Sequence, residues 1–477
     1  MHHKTRLCLF LTALFLASAV LISGHDSQTD PQREFERCRR KCDRRSPEAR
    51  RICEDRCEER RRRQEEVEAQ PGGDAGEREV EDKQNPYVYE DRHFGTDIQT
   101  RHGRVRVLRK FTEGSGWKLL RGVENYRVVI VEAEPRTFVV PNHWDADVVI
   151  FVANGKGSAS LVRQNRRESF NIKEGDVFRI RAGTTTYLVN RDNNEKLVLV
   201  KLAIPVSIPG HFQAFFGAAG ENPQSFYNAF SDEILEATFN TRKERLDKLF
   251  GQQKQGAFLK ATEDQIRSMS RHKEGGIWPF GGESKGAVNI YEEGPKHDNK
   301  YGQLYEVDSS EYKPLRDLNV AVSLANITQG GMSAMNYNSK LTKISVVIDG
   351  EGHFEMACPH VSKESRRESQ LPSYQRVGAR LRRGTVVVVP AGHPFVAVAS
   401  NNRNLQLLCF EVNAEDNESH LLAGKRNVMK QLEETAKELA FGVPAQEVDE
   451  VFNNQQEEYF FPGPQWRQQR QDLLADA

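Results

Sequence analysis

One cysteine and two histidines in the second half of the chain have the residue types and spacing of a metal site. Cys358 and His360 lie two positions apart at the end of the run VVIDGEGHFEMACPH, so they project to the same face of an extended chain. His393 stands in the loop sequence Pro-Ala-Gly-His-Pro. A thiolate with two imidazoles suits copper or zinc. The three residues therefore predict a sealed copper or zinc site, which fits storage or stabilisation better than turnover.

The same residues also allow simpler interpretations. Cys358 has Cys409, in the apolar run LQLLCFEV, as an alternative disulfide partner, and it is equally compatible with a buried thiol. His393 could serve only to bond a backbone carbonyl. The sequence leaves these alternatives open.

Four further cysteines near the N-terminus form a second motif. Cys38 and Cys42, and again Cys53 and Cys57, have the i, i+4 spacing that places two thiols on one helix face. Two antiparallel helices would bring the pairs together, which favours Cys38–Cys57 and Cys42–Cys53 among the three connectivities that four cysteines allow. A zinc site has the right number of ligands, but an oxidising compartment favours disulfides.

The N-terminus has the pattern of a targeting segment. A short basic and polar start is followed by an apolar stretch and small residues, which predicts a secretory signal peptide over residues 1–24. The apolar stretch is shorter than the roughly 20 residues that a membrane anchor needs. We therefore expect the mature protein to pass through an oxidising compartment.

Two segments separate the signal peptide from the folded body. Residues 25–63 are predicted to form the disulfide-stapled helical hairpin, a pro-segment similar to the small antimicrobial or protease-inhibitor hairpins that precede some storage globulins. Its arginine-rich sequence would contact anionic membranes if the hairpin were released, or it is simply solvated. Residues 64–85 are acidic and contain no aromatic residue, which indicates a disordered linker.

The folded body contains one pattern twice. Alternating apolar and polar residues close on glycine at residues 138–155 and 175–190, and again at 333–350 and 384–399. This period of two indicates half-buried antiparallel strands in two similar domains. The pattern resembles the cupin superfamily, whose barrel is a jelly roll. The predicted fold class is mainly β, with two tandem cupin barrels, each followed by an extended α-helical arm.

The cupin resemblance also locates the positions at which an ordinary cupin would hold its metal. In this sequence those positions are occupied mostly by residues that are poor metal ligands: Pro141, His143, Val148 and Thr186 in the first half, and Asn336, Asn338, Lys343 and Phe395 in the second. A divalent ion needs three or four donors in one shell. We therefore expect no ordinary metal site in either barrel, which counts against a cupin oxygenase, oxalate oxidase or isomerase.

Amphipathic segments follow both barrels. The sequence predicts one helix over residues 231–250, capped by Ser231 and closed by Gly251, and a second arm over residues 425–441, followed by a short helix that has Pro444 at its start. Apolar faces with no local partner indicate that the arms pack on a neighbouring subunit. From the residues alone the prediction is an oligomer.

The resemblance then narrows to a family. The runs NPYVY, DADVVIFVANGKG, RAGTTTYLVN, LVLVKLAIPVSIPGHFQAFFGAAGENPQSFYNAF and LRRGTVVVVPAGHPFVAVAS resemble the vicilin (7S) seed storage globulins. That resemblance implies a non-enzymatic nutrient reservoir, a homotrimer, and a protein storage vacuole reached by the secretory pathway. Many members are food allergens. The expected domains are an N-terminal cupin with its arm at 86–272, a linker at 273–289, a C-terminal cupin with its arm at 290–460, and a tail at 461–477.

Composition and sequons complete the sequence-based expectations. The formal net charge is +0, so no overall field favours a nucleic-acid partner. Asn326 and Asn417 begin glycosylation sequons, and the threonine sequon ranks Asn326 first unless the barrel buries it. Two alternatives to storage stay open. One is a small-molecule or sugar-binding cupin relative, with Asn336, Asn338 and Lys343 at the barrel mouth, and the other is a copper-dependent enzyme centred on Cys358.

Overall fold

A computed structural model describes residues 85–113, 118–218, 222–270, 286–359 and 374–464. The predicted signal peptide, the hairpin with its four cysteines, most of the acidic linker, and His360 lie outside these residues. None of the described helices combines the length and apolar composition needed to cross a bilayer.

The first barrel consists of two antiparallel sheets that face each other across an apolar core. One sheet has seven strands in the order β14-β9-β6-β11-β4-β3-β2, and the other has six, in the order β12-β5-β10-β7-β8 with β13 beside β5. Strands buried on both faces, such as β6 and β11, have almost continuous apolar sequences. The bounds are β2 (Phe94–Thr100), β3 (Gly103–Leu108), β4 (Arg127–Ala133), β5 (Thr137–Trp144), β6 (Ala146–Asn154), β7 (Lys156–Arg163), β8 (Arg166–Lys173), β9 (Asp176–Ile180), β10 (Thr185–Asn190), β11 (Leu197–Pro205), β12 (Ala214–Phe216), β13 (Phe258–Lys260) and β14 (Val288–Asn289).

The second barrel repeats this plan within one connected sheet of 13 strands. Its longest strand, β20, pairs with β24 and β22 in its first part and with β21 and β23 in its second part, so it belongs to both walls. The bounds are β1 (Val88–Tyr89), β15 (His297–Asn299), β16 (Gly302–Val307), β17 (Val320–Ile327), β18 (Gly331–Ser333), β19 (Asn336–Asn338), β20 (Thr342–Cys358), β21 (Gln375–Arg382), β22 (Val386–Val389), β23 (Phe395–Ala399), β24 (Leu405–Val412), β25 (Ser419–Leu421) and β26 (Phe460–Pro462).

Equivalent glycines mark the bend between the two walls of each barrel. Gly155 has φ +86° and Gly350 has φ +83°, a conformation that L side chains rarely adopt. A Cβ on Gly350 would lie 1.7 Å from the carbonyl oxygen of Asn404. The two glycines therefore confirm the duplication that the sequence pattern predicted.

The two barrels exchange short strands. β1 (Val88–Tyr89) precedes the first barrel in sequence but pairs with β22 of the second barrel. β14 (Val288–Asn289) precedes the second barrel but pairs with β9 of the first. One hydrophobic core runs through both barrels. Spatially, the start of the expected 86–272 domain thus belongs to the second barrel, and the end of the expected 273–289 linker belongs to the first.

Both arms differ from the expected helices. The prediction of a single helix over 231–250 is wrong. The first helix, α1 (Asp232–Phe239), ends at Asn240, which has the left-handed conformation, and α2 (Lys243–Gly251) follows as a separate helix. A short helix, α3 (Glu263–Ser270), follows. Within residues 425–441, only α4 (Glu434–Phe441) is α-helical. The next helix, α5 (Ala445–Asn453), has Pro444 as its N-cap residue.

Candidate functional site

Three distant parts of the chain meet at Cys358. The residue ends β20, is fully buried, and pairs with Gln375 of β21. Its Sγ lies 3.2 Å from the hydroxyl of Tyr87, which reaches the second barrel next to the exchanged strand β1. The Tyr87 ring lies 6.1 Å from the ring of His393. A thiol, a phenol and an imidazole therefore share one buried neighbourhood.

The geometry of His393 fits a metal ligand. Its Nδ1–H donates to the carbonyl of Ala391 at 3.0 Å, because a carbonyl can only accept. In the neutral ring the lone pair then lies on Nε2, which is the arrangement found for ligating histidines. Burial and the neighbouring Cys358 raise the pKa of Tyr87, so its phenol stays protonated at neutral pH.

The third predicted ligand, His360, lies outside the residues that the structure describes. Within the residues that the structure describes, no three His, Cys, Asp or Glu side chains are grouped to hold an ion. A complete copper or zinc site at Cys358 and His393 would therefore need His360, which follows Cys358 by two positions.

Cys409 lies apart from this neighbourhood. It is buried in β24, with its Sγ 3.1 Å from the hydroxyl of Ser345, and both Cys358 and Cys409 are free thiols. The disulfide between them that the sequence left open is therefore wrong. Burial raises the pKa of Cys409, which keeps it protonated.

Cys409 belongs to a buried polar cluster inside the second barrel. Lys343 Nζ lies 3.0 Å from Glu411 Oε1, and the hydroxyl of Ser323 donates to the same oxygen at 2.7 Å. Burial lowers the pKa of Lys343, but the adjacent Glu411 outweighs it and the net shift is upward. Burial and Glu411 raise the pKa of Glu306 to about 7. The lysine is thus neutralised by a carboxylate of the chain itself.

The positions that hold a metal in other cupins carry side chains with other contacts. His143 stacks on Phe215 with ring centroids 5.0 Å apart, and the hydroxyl of Thr186 donates to the carbonyl of Thr184. In the second barrel, Phe395 stacks on Phe354. At these three positions the structure thus places ring contacts and an internal hydrogen bond.

The asparagines that the sequence analysis offered for sugar binding also have internal partners. Asn336 Nδ2 donates to the carbonyl of Ala334, and Asn338 Oδ1 accepts from Asn417 Nδ2. Since Lys343 pairs with Glu411, these side chains do not converge on one open site.

A cavity lies inside the first barrel, beside Lys201. It has a volume of about 50 Å³ and a largely apolar wall. Lys201 lies in the middle of β11, between Val129 of β4 and Ile150 of β6. Its Nζ sits 4.6 Å from the centroid of the Trp144 ring, a cation–π contact. Burial lowers the pKa of Lys201 to about 8, and no carboxylate of the described residues offsets that shift.

Lys201 and Cys409 occupy equivalent positions in the two barrels. Lys201 pairs with Ile150, five residues before Gly155, and Cys409 pairs with Ser345, five residues before Gly350. The duplication has therefore placed an amine without a carboxylate partner in one barrel and a neutral thiol in the other.

The two sequons differ in their surroundings. Asn326 lies within β17, which is bonded to β16 on one side and to β24 on the other. Asn417 lies in a surface turn, where its Oδ1 accepts from the backbone N–H groups of Lys340 and Leu341. Both asparagines are half-buried, so what distinguishes them is that Asn326 lies inside a strand paired on both sides and Asn417 lies in a turn.

The arms expose apolar side chains. Leu439 is 82% exposed, Val451 72% and Leu249 66% in the single chain. Exposed apolar side chains that cluster on a protein surface mark contact sites. This agrees with the expectation that the arms pack on another subunit.

Two tandem jelly rolls that exchange strands define a bicupin protein. A family model described as cupin matches residues 99–247 and 288–449. Vicilin Jug r 6.0101 from Juglans regia is 52% identical over 448 residues, covering 90% of this chain and 88% of the relative. The crystal structure of vicilin from Corylus avellana has a TM-score of 0.75 at 53% identity, covering 80% of this chain and 100% of that one. A vicilin from Solanum melongena, reported with different anionic ligands in structurally similar pockets, has a TM-score of 0.75 at 38% identity, covering 80% and 98%.

The chain belongs to the vicilin family of 7S seed storage globulins. Its function is that of a seed storage protein, as the resemblance in the sequence implied.

Two residues of the sites were missed in the sequence. Tyr87 comes from NPYVY, 271 residues before Cys358, and no local pattern links the two. Lys201 did leave a signal, because a single lysine interrupts the apolar run LVLVKLAIP at a position that a buried strand would fill with an apolar residue.

Proposed function

We propose that this storage protein has no enzymatic turnover in either barrel. The observation that carries the proposal is the loss of donor atoms at the cupin ligand positions, where His143 is the one histidine and it stacks on Phe215. The test supplies iron, manganese or zinc to purified protein and measures oxalate consumption and oxygen uptake. We expect no turnover. Activity that a His143→Ala variant abolishes would contradict the proposal.

The proposed quaternary state is a homotrimer held by the arms. Support comes from apolar side chains of α2, α4 and α5 that are exposed in the single chain, namely Leu249, Leu439 and Val451. Light scattering should give three protomers per particle, and Leu439→Glu or Val451→Glu should reduce that number. Gln446→Glu, on the same arm, is the control for added charge. A wild-type protein that is monomeric at micromolar concentration would contradict the trimer.

A copper or zinc site is proposed at Cys358, His360 and His393, with Tyr87 alongside. Support comes from the buried thiol and from the Nδ1–H bond, which leaves the lone pair of a neutral His393 ring on Nε2. The metal would stabilise the exchanged N-terminal segment against the second barrel. Elemental analysis of native protein should find about one ion per chain.

The matched control for that site is the second buried cysteine. Cys358→Ser should lose the ion, whereas Cys409→Ser should keep it, since Cys409 bonds Ser345 elsewhere in the barrel. Equal metal contents in the two variants would contradict the assignment. Enzymatic activity that varied with the metal content of these variants would support the alternative of a copper-dependent enzyme.

Secretion, maturation and storage in the seed vacuole are also proposed. The support is the N-terminal sequence with its basic start, apolar stretch and paired cysteines. Non-reducing peptide mapping should link Cys38 to Cys57 and Cys42 to Cys53. If denaturation released zinc and no disulfide-linked peptides were found, the four cysteines would be assigned to a zinc site instead of two disulfides.

Binding of small anions in the first barrel is a second candidate function. Lys201 is a buried cation without a carboxylate partner beside a cavity, and a Solanum melongena relative is reported with anionic ligands in its pockets. Calorimetry should detect acetate binding that Lys201→Met removes. Sucrose should give no heat, because a disaccharide exceeds the cavity of about 50 Å³.

A further inference from the structure

The cavity beside Lys201 selects for small and mainly apolar molecules. A volume of about 50 Å³ holds the equivalent of three to five water-sized probes at about 10–15 Å³ each. Its wall is built from aliphatic and aromatic side chains, including Val131, Val139 and Leu188. Among the residues that line it, only Asp97, Arg181 and Lys201 carry charge, and the first two are exposed at the mouth. The cavity thus has one inner reactive group, the Lys201 amine.

The amine is placed to act as a nucleophile. Burial lowers the pKa of Lys201 to about 8. At pH 7 about one such amine in ten is neutral, against about one in 3,000 for a lysine of ordinary pKa. Desolvation in an apolar pocket is an established way to activate a lysine toward carbonyl compounds. The Trp144 ring fixes the position of Nζ on the cavity side of β11.

We propose that Lys201 captures short aliphatic aldehydes as an imine inside the first barrel. The Nζ lone pair attacks the carbonyl carbon and forms the C–N bond of a carbinolamine. The C–O bond then breaks, and both amine hydrogens leave with the oxygen as one water molecule. The step needs no oxidant, reductant or second substrate, and its reversal releases the aldehyde.

The second barrel offers no equivalent site. Cys409 stands at the position of Lys201, and Lys343 is held as an ammonium by Glu411 at 3.0 Å. A protonated amine has no lone pair with which to attack. Within the described parts of the two barrels, capture is therefore confined to Lys201, and it does not depend on the proposed metal site.

The experiment treats the full-length protein with propanal and cyanoborohydride, which reduces an imine to a stable secondary amine. Peptide mapping then measures the propyl adduct at each lysine. We expect Lys201 to be modified at least about ten times faster than the exposed Lys156 at pH 7. The rate at Lys201 should level off above about pH 8.

Two controls make the result decisive. Lys201→Arg keeps the positive charge but removes the nucleophile, so it should abolish the fast adduct while the rates at Lys156 and Lys343 stay unchanged. Benzaldehyde is larger than propanal, so its preference for Lys201 should be weaker. Uniform modification of all lysines, or an unmodified Lys201 in protein with wild-type circular dichroism, would overturn the proposal.

Discussion

The ion pair between Lys343 and Glu411 permits a direct test of how the second barrel is stabilised. Lys343 Nζ and Glu411 Oε1 lie 3.0 Å apart, and the side chains are 24% and 6% exposed. Lys343→Met leaves a buried carboxylate, and Glu411→Leu leaves a partly buried ammonium. The double variant leaves neither charge, so its stability separates the value of the pair from the cost of one isolated charge.

The magnitudes follow from this exposure. Removing one partner of a buried pair costs about 3–5 kcal/mol, whereas an apolar replacement of both is close to neutral. We expect Lys343→Met to cost about 3–4 kcal/mol at pH 7, because Glu411 is almost inaccessible to water. Glu411→Leu should cost about 2 kcal/mol, since water reaches part of Lys343. The double variant should lie within about 1 kcal/mol of wild type, as the first barrel already pairs Val148 with Ala203 at these positions.

Urea denaturation at fixed protomer concentration measures these free energies of unfolding, because stability of an oligomer depends on concentration. The control cycle uses the exposed pair of Lys243 and Asp232, whose side chains are 49% and 51% exposed. That pair should show no measurable coupling. If the free-energy losses of the two single variants added up in the double variant, the reasoning would be refuted. Additivity would show that Lys343 and Glu411 do not stabilise each other.

Three further predictions follow from single positions. Because the folded pKa of Glu306 is raised from 4.5 to about 7, the folded state retains a proton that the unfolded state releases. The free energy of unfolding should therefore fall by about 1–3 kcal/mol as pH rises from 4.5 through 7, and Glu306→Gln should remove this fall in urea titrations at several pH values. Gly350→Ala should prevent soluble expression, because its Cβ would overlap a backbone carbonyl. Gly384 also has a positive φ, +89°, but open space surrounds it. Gly384→Ala should therefore lower the free energy of unfolding, measured by urea denaturation, by only about 1–2 kcal/mol. Deglycosylation and mass spectrometry should locate a glycan at Asn417, in its turn, and a glycan found only at Asn326 would contradict the argument from the paired strand.

The fold could be predicted because its main signals are local. Alternation with a period of two specifies half-buried strands wherever one face is buried, and Gly155 and Gly350 mark equivalent bends. The exchange of β1 and β14 could not be predicted, because strands of two residues are too short to show a period. The first arm was predicted as one helix because the apolar spacing continues through Asn240, where the backbone turns left-handed. Asparagine tolerates that conformation, so periodicity alone does not show the break.

The sites were predictable only where their residues are close in sequence. The spacing of Cys358 and His360 suggested a metal site, and the structure adds Tyr87 from the opposite end of the folded body. The cupin ligand positions could be counted from glycines, which is why their loss was visible in the sequence. The environment of Lys201 was not visible, because whether a lysine in a strand faces solvent, a carboxylate or a cavity depends on residues from several other strands.

The divergence of the two barrels follows from how each satisfies one buried cation. In the second barrel Lys343 is paired with Glu411, and Ser323 bonds the same carboxylate, so the cluster is complete without any ligand. In the first barrel the strands around Lys201 present Val129 and Ile150, and nothing in the described chain neutralises the amine. Such an amine either loses its proton or takes up a partner from outside the chain. The two barrels thus share one fold but differ in how their buried lysines are surrounded. The replacement of Lys201 by methionine should therefore stabilise the protein, whereas the replacement of Lys343 by methionine should destabilise it. Equal effects of the two substitutions would show that the barrels have not separated in function.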